Sequence, residues 1–381
     1  MDKDAVVILD PRGTIVTGGI DVIDRHRQYG KWLLKESIDG PLRLVIFSTS
    51  IDRTLEDFSG NELDLIIISK PTFNPLFFAF KAKKAIHNLE YKPKLLITGD
   101  PWESFFSAYF FNKISSTKIP IPIQVQVHGD IGDEKWAQIN WRNRIRSLVA
   151  VFSLIRATRI RATSKYQADN LVNRYKVTME KIDVLPVPIF FKEESALTPA
   201  TLHRPRTLGF VGRIHPDRGT ASFVKLIKIL KAESADFSVS IIGDGPEREV
   251  FLRNLNEILP KKDIAYHGHV SEEELKLLWE NIGVLVSVAP VESYGRSMRE
   301  AISKGIPVWA TASSGVSALI DQAPKGAVRL INFGNPINLK SDFNDLMESP
   351  FANNFGQEIY RQDLGNMSSL AKIWVKMSIA R

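Results

Sequence analysis

The sequence predicts an α/β protein built on two parallel sheets, and three observations carry that expectation. Short apolar, β-branched runs of strand length alternate with segments whose apolar residues recur at three- and four-residue spacing, the period of a helix with one buried face. The chain has 381 residues, more than one ordinary core uses and a length suited to two domains. The alternation halts in a polar, proline-bearing stretch and then restarts. The expected division is a first domain at 1–188, a linker at 189–205 and a second domain at 206–359. Strands joined through helices are parallel and covered on both faces, so functional loops belong at their carboxyl ends.

Apolar residues at 44% and charged residues at 24% make the chain globular throughout. No apolar run is long enough to cross a bilayer, and the opening MDKDAVVILDPRG puts acids where a secretory leader needs positive charge. The absence of cysteine excludes a disulfide framework and a thiolate metal site, and a cytoplasmic location is the default reading.

The net charge of +7 has a local source. Between Lys135 and Ala168 stand Lys135, Arg142, Arg144, Arg146, Arg156, Arg159, Arg161 and Lys165 with no acid, and the rest of the chain holds 42 basic against 43 acidic residues. A stripe of this kind points to phosphate or anionic lipid, not to a nucleic-acid surface. It reads either as a docking face for anionic membrane or as a solvated basic face, with Ile145, Leu148, Val149, Phe152 and Ile155 packing the helix inward.

In the first half, strands are expected at Ala5–Asp10, Arg43–Ser48, Leu63–Ser69, Lys94–Thr98 and Ile121–His128. Helices are expected at Ile20–Glu36, Asn74–Tyr91, Pro101–Asn112 and Ala137–Ile155. Three strand-end loops carry candidate groups. Gly18-Gly19 forms a turn in which a ligand could lie against main chain. Asp100, Trp102 and Glu103 could line a cleft, although Asp100 as a helix cap followed by Pro101 is the favoured account. His128 ends the QVQV strand, where an isolated histidine is usually structural.

In the second half, TLGFVGRIHPDRG reads as strand, loop and helix start, and places Arg213 at the carboxyl end of a buried strand, where an arginine needs an anion to face. SVSIIGDGPERE and IAYHGHVSEEEL follow. His267 and His269 share one face of the latter strand, but no third metal ligand lies near them in sequence, so they read as ordinary strand histidines. The stretch 283–315, GVLVSVAPVESYGRSMREAISKGIPVWATASSG, is a strand, a turn at Pro290, a helix over Tyr294–Lys304, a stop at Gly305 and a second strand from Pro307. A helix beginning there offers unpaired backbone N–H groups and a positive dipole end, and Glu292 reaches the same space.

These strings resemble glycosyltransferase family 4, a retaining family of glycosyl transferases group 1. Glu292 and Glu300, followed by Ala301, Gly305, Pro307 and Val308, resemble its E-G-F-G-x4-E-A-x3-G-x-P-V signature. The FVGRIHPDRG string resembles F-V-G-R-L-x-x-x-K-G, with Arg218 at the lysine position, where a planar fork replaces a point charge. Pro186-Val187-Pro188-Ile189 stands where relatives show N-G-V-D. The match is close over the second domain and loose over the first.

The resemblance implies a GT-B fold, two Rossmann-like domains facing across a cleft, with the terminal helix at 360–381 returning to the first. It implies transfer of a hexosyl group, with retention, from a nucleotide-diphosphate sugar to the hydroxyl of a glycan or lipid-linked acceptor, in polysaccharide or glycolipid synthesis. The catalytic set it implies is His128, Glu292, Arg213 and Arg218. The donor set is Gly18, Gly19, Val270 through its main chain, Ser293, Tyr294, Gly295, Arg296 and Glu300, which would meet the ribose. No metal or other cofactor is expected, and the enzyme would work in the cytoplasm or at the inner membrane face. Alternatives are a sugar-nucleotide epimerase of the same fold and a non-catalytic nucleotide-sugar-binding module. A nicotinamide oxidoreductase lacks support, since the first loop is not G-x-G-x-x-G.

Overall fold

A computed structural model describes residues 3–38, 40–51, 60, 62–72, 74–115, 119–191, 204–335, 338–348 and 354–379. The chain divides into two compact units, Met1–Phe191 with Gln362–Arg381, and Lys192–Arg361. The linker expected at 189–205 falls mostly on residues outside the described set.

The first unit runs β1 (Lys3–Asp10), α1 (Thr14–Thr17), α2 (Ile20–Glu36), β2 (Arg43–Thr49), β3 (Leu63–Ser69), α3 (Pro75–Asn88) and β4 (Tyr91–Thr98). It continues through α4 (Glu103–Ile114), β5 (Ile123–Gln126), α5 (Glu134–Gln138), α6 (Trp141–Arg156), β6 (Arg159–Ala162), α7 (Lys165–Tyr175) and β7 (Ile182–Val184). The seven strands pair in parallel in the order β3-β2-β1-β4-β5-β6-β7. Because side chains alternate across a strand, Ala5, Val7 and Leu9 enter one core with residues of α3, α4, α6 and α7, while Val6 and Ile8 enter the other with α2. Both faces are therefore apolar, and polar chemistry is left to the loops.

The second unit repeats the plan with β8 (Thr207–Val211), α8 (Thr220–Ala232), β9 (Ser238–Ile242), α9 (Arg248–Asn256), β10 (Ile264–Gly268) and α10 (Glu272–Leu278). Then come β11 (Val284–Ser287), α11 (Arg296–Ser303), β12 (Val308–Ala310), α12 (Ser314–Ile320), β13 (Val328–Leu330) and α13 (Leu339–Glu348). Its parallel order is β10-β9-β8-β11-β12-β13. A last helix, α14 (Phe355–Ile379), starts earlier than Leu364, and from Gln362 onward it belongs to the first unit. There Met367, Leu370, Trp374 and Met377 pack on the α2 side of the sheet. Trp374 donates to Gln124 Oε1 at 2.7 Å, and its ring meets Tyr29 edge-on at 5.9 Å.

Two departures from the sequence reading have local causes. The helix expected at 137–155 is two helices, because the Asn140 side chain accepts the Asn143 N–H at 2.9 Å and starts α6 afresh. The second concerns which face of α6 is buried. Ile145, Leu148 and Ile155 point outward, and Val149 and Phe152 are half-buried, whereas Asn143, Ser147, Ala150, Ser153 and Leu154 face in. The inner polar groups are satisfied: Asn143 donates to the Trp136 carbonyl at 3.0 Å, Ser153 to the Pro101 carbonyl at 2.6 Å, and Ser147 meets the Tyr175 hydroxyl at 3.0 Å.

Trp374 has no exposed surface, so Trp374→Ala should cost the first unit about 3–5 kcal/mol. Urea denaturation followed by circular dichroism should show a transition moved to lower denaturant; an unmoved midpoint would refute the anchoring of α14 by this side chain.

Candidate active site

The second unit assembles its candidate groups where β8 and β11 end. After β8 the chain turns through Pro216–Arg218, and Gly219 follows at φ 75°. A Cβ at Gly219 would lie 2.0 Å from the Val288 carbonyl oxygen, so only glycine lets this turn press against the end of β11. That approach brings Arg218 to Glu292, with Nη1 donating to Oε2 at 2.7 Å across 74 residues of sequence. Arg213 points elsewhere. Its guanidinium is more than half exposed and pairs with Asp217 Oδ2 at 2.7 Å on the same turn.

The other Glu292 oxygen, Oε1, accepts the backbone N–H groups of Ser293 at 3.0 Å, Tyr294 at 3.3 Å and Gly295 at 3.1 Å. Gly295, at φ 74°, is the cap of α11, so the helix begins at Arg296 and not at Tyr294. The carboxylate thus occupies the amide-lined, dipole-positive position ahead of the helix. The loop is clamped from two sides. Gly315 donates to the Glu292 carbonyl at 2.7 Å, and a Cβ there would lie 2.7 Å from Tyr294 N. Arg299, fully buried, donates to the Tyr294 carbonyl and to Gln322 Oε1 at 3.0 Å, and its guanidinium lies 4.0 Å from the Tyr294 ring centroid.

Ser293, Tyr294 and Gly295 are buried. Arg296 is exposed and reaches half-buried Glu300 at 3.4 Å, a pair one turn apart on α11. Val270 lies half-buried in the loop after β10, just before the Ser271–Glu274 capping box that starts α10. His267 and His269 are exposed, and among the described residues no group of three or more His, Cys, Asp or Glu could hold a metal. Beyond β9, Asp244, Gly245, Pro246, Arg248 and Glu249 line a depression of ≈ 590 Å³.

In the first unit, Gly18 and Gly19 link α1 to α2. Gly19 adopts φ 80° and has open space where a Cβ would stand, whereas a Cβ at Gly18 would meet Val22 Cγ2 at 2.6 Å. Packing explains Gly18, and backbone conformation explains Gly19. His128 follows β5 on a loop held by buried Gln167, which donates to the carbonyls of Val127 at 3.2 Å and Gly129 at 2.8 Å. Its ring keeps an open surface, yet the protein crowding around it and the nearby Arg161, Arg25 and His26 lower its pKa to about 3. The ring is neutral at pH 7. His26 on α2 is lowered to about 4, by burial first and by Arg25 and Arg161 last, against a hydrogen bond to the Val22 carbonyl at 2.7 Å.

Arg161 does not belong to the surface stripe. It is buried, donating to the carbonyls of Leu185 at 2.9 Å and Pro186 at 2.7 Å. Asp100 uses its carboxylate on the Trp102 and Ser104 N–H groups and on Arg12, but α4 starts at Glu103 with Trp102 as its cap residue, so Asp100 holds the turn ahead of the helix and Pro101 is not its first residue. The sequence reading missed Gly219, Gly315, Arg299 and Gln167. Gly219 had a signal in its place after Arg218 at a helix start; the other three act through contacts distant in sequence.

Residues 194–362 match the family model of glycosyl transferases group 1. The match covers the second unit, where the loops around Arg218 and Glu292 lie. Relatives include an uncharacterized glycosyltransferase of Bacillus subtilis, 24% identical over 37% of this chain and 39% of that protein. Another is a D-inositol 3-phosphate glycosyltransferase of Paenarthrobacter aurescens, 27% identical over 56% of this chain and 52% of its own. The chain therefore spans about two-fifths to one-half of these relatives. Among solved structures, a lipopolysaccharide outer core galactosyltransferase superposes with TM-score 0.64 over 99% of both chains at 16% identity. Anabaena HepE in complex with UDP-glucose superposes with TM-score 0.63 over 98% of this chain and 97% of its own at 15% identity. The fold is GT-B.

Both histidine values lie below the ordinary 6.5, so the unfolded chain takes up more protons as pH falls through that value, and stability falls with it. Calorimetry should show the melting temperature dropping between pH 7 and pH 5. The drop should be shallower in His26→Gln, which carries no ring to protonate; an identical slope in that variant would refute the contribution of His26.

Proposed function

We propose that the protein is a retaining glycosyltransferase that moves a hexosyl group from a nucleotide-diphosphate sugar to the hydroxyl of a glycan or lipid-linked acceptor, in polysaccharide or glycolipid synthesis on the cytoplasmic side. The supporting observation is the Glu292 carboxylate, held by three consecutive backbone N–H groups at a helix start and by Arg218. A place that satisfies a carboxylate in this way suits a departing diphosphate, whose oxygens need the same donors.

As the bond from the sugar's anomeric carbon to the phosphate oxygen breaks, the electron pair leaves with the diphosphate and the sugar turns oxocarbenium-like. The acceptor oxygen bonds the same face, and its proton passes to the departing phosphate oxygen. Arg218, the loop amides and Arg213, once released from its exposed Asp217 pair, would stabilise the developing charge. An exposed pair of this kind is worth about 0–1 kcal/mol and gives way readily. Glu292 would then leave the amides and turn to sugar hydroxyls, with neutral His128 as a second contact to them. Glu300 would accept from the ribose, Val270 would meet the base through its main chain, and Gly18-Gly19 would let the ligand close on the backbone. This reading assigns no chemistry to a metal.

Titration calorimetry with UDP, GDP and ADP tests the assignment. Removing a charged hydrogen-bond partner costs about 1.5–3 kcal/mol, so Glu300→Gln should weaken the nucleotide diphosphate that binds by about tenfold to 150-fold. Glu292→Gln should bind that nucleotide as well as or better than wild type, because no carboxylate competes for the amides, and should lose transfer. Undiminished affinity in Glu300→Gln would remove the ribose role; full transfer activity in Glu292→Gln would remove the role given to Glu292, and no transfer by the wild-type chain from any nucleotide sugar would overturn the glycosyltransferase reading.

A further inference from the structure

The outward face of α6 carries a row of large apolar side chains from end to end. Trp141, Ile145, Leu148, Val151 and Ile155 recur at three- and four-residue spacing and are 38–75% exposed. At 1.5 Å per residue the row is about 21 Å long. Arg144 stands within the row, three residues after Trp141 and four before Leu148, Arg142 and Arg156 are exposed beside it, and α6 contains no acid. The neighbouring helices continue the pattern. On the same face of the sheet, α4 packs on α6 through Phe106 stacked on Phe152 at 5.6 Å, and α3 packs into the same core. Outward, α3 exposes Leu76, Phe77 and Phe80 beside Lys81 and Lys84, again with no acid in the helix. The one acid in α4, Glu103, is ion-paired with Arg12 and Arg146. Around the layer, acids stand at Asp133 and Glu134 before α6, at Glu90 after α3, at Glu180 beyond the end of α6, and at Asp169 on α7, where it pairs with Lys165.

We infer that this layer docks the first unit on an anionic lipid bilayer, with α6 lying in the interfacial plane. The apolar row would sit at the boundary between headgroups and acyl chains, Trp141 at headgroup level, and the arginines on lipid phosphates. A protein partner would call for charge of both signs on the docking helices, whereas every charged side chain of α6 and α3 is basic. Among the described residues no helix is long and apolar enough to cross a membrane, so attachment by lying on the surface is the mode these helices offer. The inference deepens the transfer reading by putting the acceptor at a membrane, but its test needs neither donor nor acceptor, so the two can fail separately.

Co-sedimentation with vesicles of equal parts phosphatidylglycerol and phosphatidylcholine tests it, against vesicles of phosphatidylcholine alone. The wild-type chain should bind the anionic vesicles at low salt, release with added salt, and bind the neutral ones weakly. Ile145→Glu/Leu148→Glu, at side chains 51% and 75% exposed, should keep the wild-type melting temperature and lower binding by about tenfold or more. Arg142→Gln/Arg144→Gln should weaken binding to the anionic vesicles and flatten its salt dependence. A blue shift of tryptophan emission on binding should shrink in Trp141→Phe. Absence of binding at low salt, or wild-type binding by Ile145→Glu/Leu148→Glu, overturns the proposal. Dimerisation abolished by Ile145→Glu/Leu148→Glu, without vesicle binding, would assign the row to a second copy of the chain instead.

Discussion

A parallel strand covered on both faces rarely holds a polar side chain in its interior unless that group is hydrogen bonded there, as Gln124 and Arg161 are, and this constraint organises both units. In β1, Ala5 to Leu9 enter two separate cores alternately, so the acids stand at its ends, Asp4, paired with Lys94, and Asp10. Asp10 then binds the N–H groups of Thr14 and Ile15 and the Ser48 hydroxyl. The same constraint puts Gly18-Gly19 and His128 after β1 and β5, Arg213 and Arg218 after β8, Val270 after β10 and Glu292 after β11. Apart from Gly18-Gly19, which join two helices, each group stands on a loop that leaves a strand of the sheet and enters a helix.

Such loops need internal support, and the buried polar residues supply it. Gln167 holds both sides of His128, Arg161 gathers the carbonyls after β7, and Arg299 pins the Tyr294 backbone. Each of these side chains is desolvated, which is costly unless its groups are hydrogen bonded. Glu292 differs from them in exchangeability. The donors it occupies are backbone amides and a partly exposed arginine, all able to serve another anion, so the contact that stiffens the loop is also one a phosphate can replace.

Helix α6 shows how composition and orientation come apart. Its arginines and its apolar residues are both plain in the sequence, and packing the larger apolar set inward is the economical reading. The sheet instead receives Asn143, Ser147, Ala150, Ser153 and Leu154, small or hydrogen-bonded side chains that fit closely against Pro101, Trp136 and Tyr175. The exposed row follows from that choice, at the expense of solvating several large apolar side chains.

By itself the sequence determined the alternation of strands and helices, the two parallel sheets and the strand ends that carry polar residues. Those features rest on periodicity and on short signals such as the RIHPDRG and VESYGR strings, which act within a few residues. Tertiary structure decided the rest. That Arg218 meets Glu292 and that Gly315 clamps the same loop depends on which strands lie adjacent, since β11 pairs with both β8 and β12. The start of α11 at Arg296 depends on Glu292 taking the amides ahead of it. The buried face of α6 depends on the space left by α4 and α7. Each is a matter of contacts between residues far apart in the chain, where a local pattern allows two packings and only the fit of the neighbouring elements selects one.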